Sequence, residues 1–155
     1  MKRFKYLSAL VFAGVFLFAA CQKNEPITFI ADSHAAFEVT TQTVQVTDEI
    51  SSVEVSIMLV GPQENRSINV NYVVLESGEI GTSEHETNVT EGVEIGNLDK
   101  TVTIPANSSF GKFNVTFNHA NIQEGQQYKL LLELQEGELK VSPAYNSKFV
   151  LIFSK

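Results

Sequence analysis

Carboxylates are the most numerous residues of this 155-residue chain that could do chemistry, and seven of them fall within residues 76–99. Hydrolysis of a glycosidic bond uses two carboxyl groups about 5 to 10 Å apart across a sugar cleft. Glu84 with Glu86, or Glu91 with Glu94, are close enough in sequence to form such a pair. Because no aromatic platform accompanies them, we expect solvated charges in a long loop. Hydrolysis is therefore the weakest of three functional hypotheses.

Other catalytic groupings are missing from the sequence. The three histidines, His34, His85 and His119, lie far apart, and an isolated histidine is more often a surface or hydrogen-bonded residue than a catalyst. The chain contains no Gly-x-Ser-x-Gly elbow, no phosphate-binding loop and no His-Glu-x-x-His motif. The sequence therefore predicts a protein that is not an enzyme.

Charge and cysteine content exclude further classes of protein. Lys and Arg number 11 against 18 Asp and Glu, which gives a net charge of −7 and no basic surface for nucleic acid. A single cysteine cannot form an internal disulfide or a cysteine-rich zinc site.

The first twenty residues have the pattern of a signal peptide. Three positive charges in Met1–Lys5 precede the uncharged, apolar segment Tyr6–Ala20. As a helix this apolar segment would be about 22 Å long, which is short of the bilayer's hydrocarbon core of about 30 Å. Removal of residues 1–20 takes away three basic and no acidic residues. The mature protein is therefore more acidic than the whole chain.

The only cysteine, Cys21, follows the sequence Leu17-Phe18-Ala19-Ala20. This segment resembles the bacterial lipobox, in which a peptidase cuts before a cysteine that carries diacylglycerol and whose amine is then acylated with palmitate. The resemblance implies lipidation of Cys21, a lipid-anchored tether over residues 21–34 and attachment to the outer membrane, facing either the surface or the periplasm. The alternative is an ordinary secreted protein that is cut after Ala20.

Beyond the tether, apolar residues recur at every second position in successive segments, which indicates strands with one buried and one exposed face. Turn-forming clusters such as Gly61-Pro62-Gln63-Glu64-Asn65 separate these segments. About seven to eight short antiparallel strands predict an all-β fold, a single immunoglobulin-like β-sandwich over residues 35–155. Val150 and Ile152 make the second face of the last strand apolar, so we expect this strand to be central or covered.

Five segments carry a resemblance to a known family. They are Val53-Glu54-Val55-Ser56-Ile57, Val70-Asn71-Tyr72, Gly81-Thr82, Val102-Thr103-Ile104-Pro105-Ala106 and Tyr128-Lys129-Leu130-Leu131-Leu132. In these segments the chain resembles a Calx-beta domain, as it occurs in small uncharacterised lipoproteins of the Bacteroidetes type. The resemblance implies an immunoglobulin-like, Calx-beta-like sandwich.

The resemblance also bears on metal binding. Calx-beta domains that bind calcium use acidic residues after the Gly-Thr step and an Asp pair after a late strand. The resemblance therefore points to Glu84 and Glu86 as calcium candidates, followed by Glu124. Asn118-His119-Ala120 stands where the Asp pair would be, and Ca²⁺ requires about six to eight oxygen ligands. We expect no calcium and no cofactor apart from the covalent lipid.

A binding role remains the main functional prediction. Sugar sites commonly stack a sugar on Trp or Tyr. The chain has no Trp, and Tyr72 and Tyr128 fall on core positions, which leaves Tyr145 as the exposed ring. We predict an outer-membrane lipoprotein that acts as a non-catalytic binding or structural module, in protein–protein interaction within a cell-envelope assembly. The alternative is a glycan-binding accessory lipoprotein for polysaccharide capture through Tyr145.

Overall fold

The computed structural model describes residues 32–155, so the predicted signal peptide, Cys21 and the tether up to residue 31 lie outside the described residues. The described chain forms eleven strands and a short 3-10 turn at His119–Asn121. None of its helical segments within 32–155 has the length and apolar character needed to cross a membrane. The strands are β1 (His34–Phe37), β2 (Thr41–Gln45), β3 (Ser52–Val60), β4 (Ile68–Leu75), β5 (Ser77–Ile80), β6 (Ser83–Glu86), β7 (Thr101–Ile104), β8 (Phe110–Thr116), β9 (Gln127–Gln135), β10 (Lys140–Val141) and β11 (Lys148–Ser154).

Nine of the strands form the two sheets of a sandwich. The strand order is β10-β1-β3-β8 in the four-stranded sheet and β2-β11-β9-β4-β7 in the five-stranded sheet. The chain crosses from one sheet to the other between β1 and β2, and β2 pairs parallel with β11, with Thr41 opposite Val150. The edge strands are therefore β10 and β8 in one sheet, and β2 and β7 in the other.

Alternation of side chains along each strand builds the core between the sheets. On β3, Val55 and Ile57 are buried, whereas Ser56 between them is only partly buried. Phe37 of β1 and Phe149 of β11 join the two sheets, with ring centroids 5.4 Å apart. Each fully buried apolar side chain contributes about 1.5 to 3 kcal/mol. The prediction of an all-β sandwich is confirmed.

The last strand, β11, has two buried faces. It lies between β2 and β9, and Val150 and Leu151 are both 0% exposed. The β5–β6 hairpin covers the outer side of the five-stranded sheet, because a Cβ on Gly78 would be 3.4 Å from Leu75 Cδ1 and 3.6 Å from Leu131 Cδ2. The expectation of a central or covered last strand is confirmed.

The strand count differs from the prediction. The sequence pattern predicts seven to eight strands and a loop over residues 76–99, whereas the structure has eleven strands and places the β5–β6 hairpin inside that loop. The additional strands β5, β6 and β10 are two to four residues long. The sequence pattern does not predict these strands because they lack alternating apolar residues.

After the hairpin, the chain continues the five-stranded sheet where β4 ends. The Asn88 N–H donates to Lys129 O at 3.1 Å. The Lys129 N–H donates in turn to Asn88 Oδ1 at 2.6 Å, and Asn88 Nδ2 donates to Gln127 O at 3.0 Å. Thr87 Oγ1 donates to Leu75 O at 2.5 Å. The hairpin is therefore an insertion whose far end is attached to β9.

Candidate functional site

A groove of about 490 Å³ opens between β7 and β8, the edge strands of the two sheets. Its floor is formed by Tyr72 of β4 and Phe113 of β8. We call this site the β7–β8 groove. Its rim is lined by polar residues of β8, of β7 and of the segment that leads into β7, namely Asn97, Asp99, Thr101, Thr103, Lys112 and Asn114.

The floor of the groove is a stacked aromatic pair. The ring centroids of Tyr72 and Phe113 are 4.7 Å apart, and the ring planes are inclined by 22°. Tyr72 is 1% exposed, whereas Phe113 is half-buried and is the more open of the two rings. Such a pair contributes about 0.5 to 1.5 kcal/mol beyond the area that it buries. It joins the two sheets at the side where the sandwich opens.

The floor carries no charge at physiological pH. Burial raises the pKa of the Tyr72 hydroxyl to about 12, against the opposing effect of a hydrogen bond from the Lys100 backbone. The negative charges of Asp99 and Glu91 also favour the neutral form. The Tyr72 phenol therefore stays protonated.

One wall of the groove is the segment 95–100, which is attached to the core. Ile95 is fully buried and Leu98 is 9% exposed. One carboxylate oxygen of Glu91 accepts the Leu98 N–H at 3.0 Å, and the other forms an ion pair with Lys100 Nζ. Lys100 has a left-handed φ of 62°, which costs a non-glycine residue about 1 to 2 kcal/mol. Its ion pair with Glu91 supports this turn.

Glu91 and Glu94 are therefore more than solvated charges, whereas Glu84 and Glu86 are exposed, as the sequence predicts. Burial opposes the ionisation of Glu91, but hydrogen bonds from Lys100 and Leu98 outweigh it and hold the pKa of Glu91 below its ordinary value. Glu94 Oε2 accepts the Thr90 N–H at 2.8 Å. Both members of this possible hydrolytic pair are thus hydrogen-bonded to the backbone of their own segment.

The other wall of the groove is β8. Lys112 Nζ lies 2.7 Å from Glu54 Oε1 on β3. This hydrogen bond is the main reason that the pKa of Lys112 is raised. Lys112 is the one cation and Asp99 the one anion among the residues that line the groove. Because Glu54 neutralises Lys112, Asp99 is the remaining charge of the lining.

The groove is closed at one end, where β7 and β8 touch. A Cβ on Gly111 would lie 2.9 Å from Thr103 O, Ile104 Cγ1 and Val102 Cγ1. Paired strands in a sheet lie about 4.8 Å apart, and this space leaves no room for a third backbone. The groove is thus accessible over Phe113 and shut at Gly111.

Tyr145, the ring predicted from the sequence as exposed, is 54% exposed. It lies between β10 and β11 and lines a cavity of about 200 Å³ together with Gly81 of the hairpin and Lys148 of β11. This cavity shares no lining residue with the β7–β8 groove. Tyr145 and Phe113 therefore line two separate cavities.

The calcium candidates lie on different parts of the chain, with Glu84 and Glu86 on β6 of the hairpin and Glu124 in the loop between the 3-10 turn and β9. Glu84 and Glu86 of β6 line a cavity of about 400 Å³ together with Lys129 of β9, and Glu124 is not among its lining residues. Within residues 32–155, no group of three or more His, Cys, Asp or Glu side chains is placed to hold a metal ion. The two carboxylates instead share their cavity with a lysine ammonium group.

Phe113 is a candidate that the sequence pattern does not single out. The pattern places Tyr72 and Phe113 on inward positions, and Tyr72 is indeed buried. It does not show that β7 and β8 are edge strands with an opening between them. The flanking polar residues Lys112 and Asn114 are ordinary for any half-buried strand, so they give no signal.

No family model matches this chain, and no curated protein matches its sequence. Solved structures with the same fold are found. The apo form of the Calx CBD1 domain matches with a TM-score of 0.59 and 12% identity, over 80% of this chain and 97% of that one. The calcium-binding domain CBD12 of CALX1.1 matches with a TM-score of 0.57 and 11% identity, over 78% of this chain and 44% of that one.

A proposed carbohydrate-binding protein from Bacteroides ovatus ATCC 8483 also matches, with a TM-score of 0.55 and 14% identity, over 79% of this chain and 37% of that one. This chain thus spans nearly all of the single CBD1 domain but less than half of the two longer proteins. Identities this low relate the folds alone. The described residues form an all-β sandwich with the fold of the Calx-beta domains.

Proposed function

We propose that this protein is a non-catalytic binding module of the bacterial cell envelope, anchored in the outer membrane by lipid on Cys21. The observation that carries the binding role is the β7–β8 groove, in which an aromatic floor and a polar rim are held by the sandwich. Concave sites with an apolar base and a few polar groups are the usual form of ligand sites. The structures of similar fold include a calcium-binding domain and a proposed carbohydrate-binding protein, which supports binding over catalysis.

The anchor rests on the sequence before the sandwich. Cys21 follows a charged segment and an apolar segment, and it is the only cysteine. Twelve residues separate it from the first strand, which begins at His34. Such a connection reaches at most about 45 Å when fully extended. An acylated Cys21 would thus hold the binding domain close to the membrane surface.

The partner that we propose first is another protein of the envelope. β2 is an edge strand, and Thr41, Thr43 and Gln45 are exposed. Edge strands offer unpaired backbone groups to an extended segment of a partner. The excess of acidic residues in the chain favours a partner with a basic surface, because complementary charge steers association.

Fractionation tests the anchor. We expect the protein extracted from membranes to have a mass that begins at Cys21 and includes the added lipid. Cys21→Ala should appear in the soluble fraction, whereas the control Tyr145→Ala should remain with the membrane. The anchor proposal is wrong if Cys21→Ala stays bound to membranes. Protease treatment of intact cells then decides between the surface and the periplasm, because only a surface-facing domain is cut.

Affinity capture tests the protein partner. The tagged protein, solubilised in mild detergent, should retain a specific protein from the same membranes, and added salt should weaken the complex if charge steers it. A protein that migrates alone under every mild detergent condition contradicts the partner proposal. It leaves the anchor proposal intact.

Glycan capture is the second candidate function. The partly open Phe113 ring favours it, because aromatic rings offer the flat apolar surface on which sugars stack. The Bacteroides ovatus protein of similar fold, a proposed carbohydrate-binding protein, adds support. A lipid-anchored module of this kind would act as an accessory in polysaccharide capture.

A further inference from the structure

We propose that the β7–β8 groove is a binding site for a neutral saccharide, with a sugar ring placed on Phe113. This inference rests on the proposed binding function and specifies the site and the chemical class of the ligand. The sequence selects Tyr145 as the ring that contacts a ligand. The structure instead favours Phe113, on edge strand β8 beside the groove.

The floor of the groove provides the apolar part of the site. Phe113 is half-buried, and its stacking partner Tyr72, at 4.7 Å, is almost fully buried. The stack fixes the plane of the Phe113 ring before a ligand arrives. A sugar ring presents C–H groups on one face, and these pack on an aromatic ring while its hydroxyl groups remain available for hydrogen bonds.

The rim provides the polar part of the site. Asn97, Asp99 and Asn114 line the groove. Amide groups donate and accept hydrogen bonds and carboxylates accept them, which suits sugar hydroxyls. The single cation of the lining, Lys112, is already bound by Glu54 at 2.7 Å. Asp99 is thus the remaining charge of the lining, in an acidic protein, which favours a neutral sugar over a uronic acid or a phosphate.

The geometry of the two edge strands argues against an extended peptide as the occupant. Strand addition requires a continuous free edge and about 4.8 Å between backbones. At Gly111, β8 approaches Thr103 and Ile104 of β7 so closely that even a Cβ would clash. The free edge is therefore interrupted beside Phe113, and a short, compact ligand fits better than a strand.

The site is also held in shape without a ligand. Glu91 fixes the segment that carries Asn97 and Asp99 through Leu98 N–H and Lys100. A wall that is ordered in advance reduces the conformational entropy that binding must overcome. This makes useful affinity possible in a shallow groove.

Affinity electrophoresis of the full chain in mild detergent tests the inference. Gels containing soluble starch, dextran, yeast mannan, arabinoxylan, levan or mixed-linkage β-glucan should include at least one that retards the wild-type protein. Phe113→Ala should weaken that binding by about tenfold or more, whereas the matched control Tyr145→Ala should bind like the wild type. A thermal melt of Phe113→Ala shows whether the variant is folded at the temperature of the assay.

A second variant keeps the test decisive if Phe113→Ala does not fold. Phe113→Trp preserves an aromatic platform and introduces the only tryptophan in the chain. We expect it to retain binding and its fluorescence to shift to shorter wavelength when the retarding polysaccharide is added. No shift, despite retardation in the gel, places the sugar elsewhere and overturns the inference.

Three further results overturn the inference and separate it from the proposed function. The first is that none of the six polysaccharides retards the wild type. The second is that Tyr145→Ala loses binding while Phe113→Ala keeps it, which returns the sugar to the other cavity. The third is capture of a protein that depends on Phe113, which makes the groove a protein-binding site. In each case, fractionation of Cys21→Ala still tests the anchor independently. Affinity capture still tests the proposed protein partner.

Discussion

Tyr72 of β4 and Phe113 of β8 stack at 4.7 Å across the two sheets, so one aromatic pair both closes the core and forms the floor of the candidate site. The two rings differ in burial, and their substitution should therefore differ in cost. We expect Tyr72→Ala to reduce the free energy of unfolding by about 3 to 5 kcal/mol and Phe113→Ala by about half of that. Urea unfolding of both variants measures the difference. Equal costs would show that Phe113 is as deeply buried as Tyr72.

The raised pKa of Tyr72 predicts a loss of stability at alkaline pH. The folded-state pKa is about 12, above the value of about 10 for an unperturbed tyrosine. The stabilisation is therefore fully present below about pH 10 and is lost as the pH rises towards about 12, with a total of the order of 2 kcal/mol. Urea midpoints measured from pH 9 to pH 12 should fall more steeply for the wild type than for Tyr72→Phe. The two proteins differ only in the Tyr72 hydroxyl, so parallel curves would contradict this prediction.

The ion pair of Glu91 with Lys100 predicts sensitivity to acid. Because the pKa of Glu91 is lowered, its stabilisation is present above its ordinary pKa and is lost as the pH falls through the folded-state value. Glu91→Gln should cost about 1 kcal/mol at neutral pH, since the pair is partly screened by solvent. It should also flatten the acid limb of the stability curve. Glu54→Gln, which removes an exposed pair with Lys112, is the control and should change stability little.

The contact between β7 and β8 predicts intolerance to a side chain at Gly111. Its Cβ would lie 2.9 Å from a backbone oxygen of β7, so the strands must separate. We expect Gly111→Ala to cost about 1 to 3 kcal/mol. At Gly137, the nearest atom to a Cβ is Asn71 Nδ2 at 3.6 Å, an ordinary contact, so Gly137→Ala is the control. Thermal melts that show the same midpoint for both variants would refute the close approach.

Much of the fold could be predicted because period-two patterns report burial. Residues such as Val55 and Ile57 are inward and buried as the pattern requires, and β11 is central because both of its faces are apolar. The β5–β6 hairpin could not be predicted in this way. Its four-residue strands lie over a sheet instead of inside the core, so few apolar residues mark them.

The candidate site could be predicted only in part. Exposure of Tyr145 follows from its place in a polar turn, and the structure agrees. The opening above Phe113 depends on which strands are edges and on how closely β7 and β8 approach each other. Those are long-range relationships, and an inward-pointing Phe on an edge strand has the same local sequence as one in a central strand. The burial of Ile95 and Leu98 within an acidic run also depends on long-range packing. It therefore could not be predicted from the local sequence.

The order of the four-stranded sheet has a mechanical consequence. Only β3 lies between β1, the first strand after the proposed tether, and β8, which carries Phe113. A pull on a polymer held at Phe113, resisted by an anchor at Cys21, would thus pass through two antiparallel ladders, β8–β3 and β3–β1. It would not have to cross the apolar interface between the sheets. Force along the strands loads the hydrogen bonds of a ladder together, so this sheet would act as the tension-bearing link between membrane and ligand.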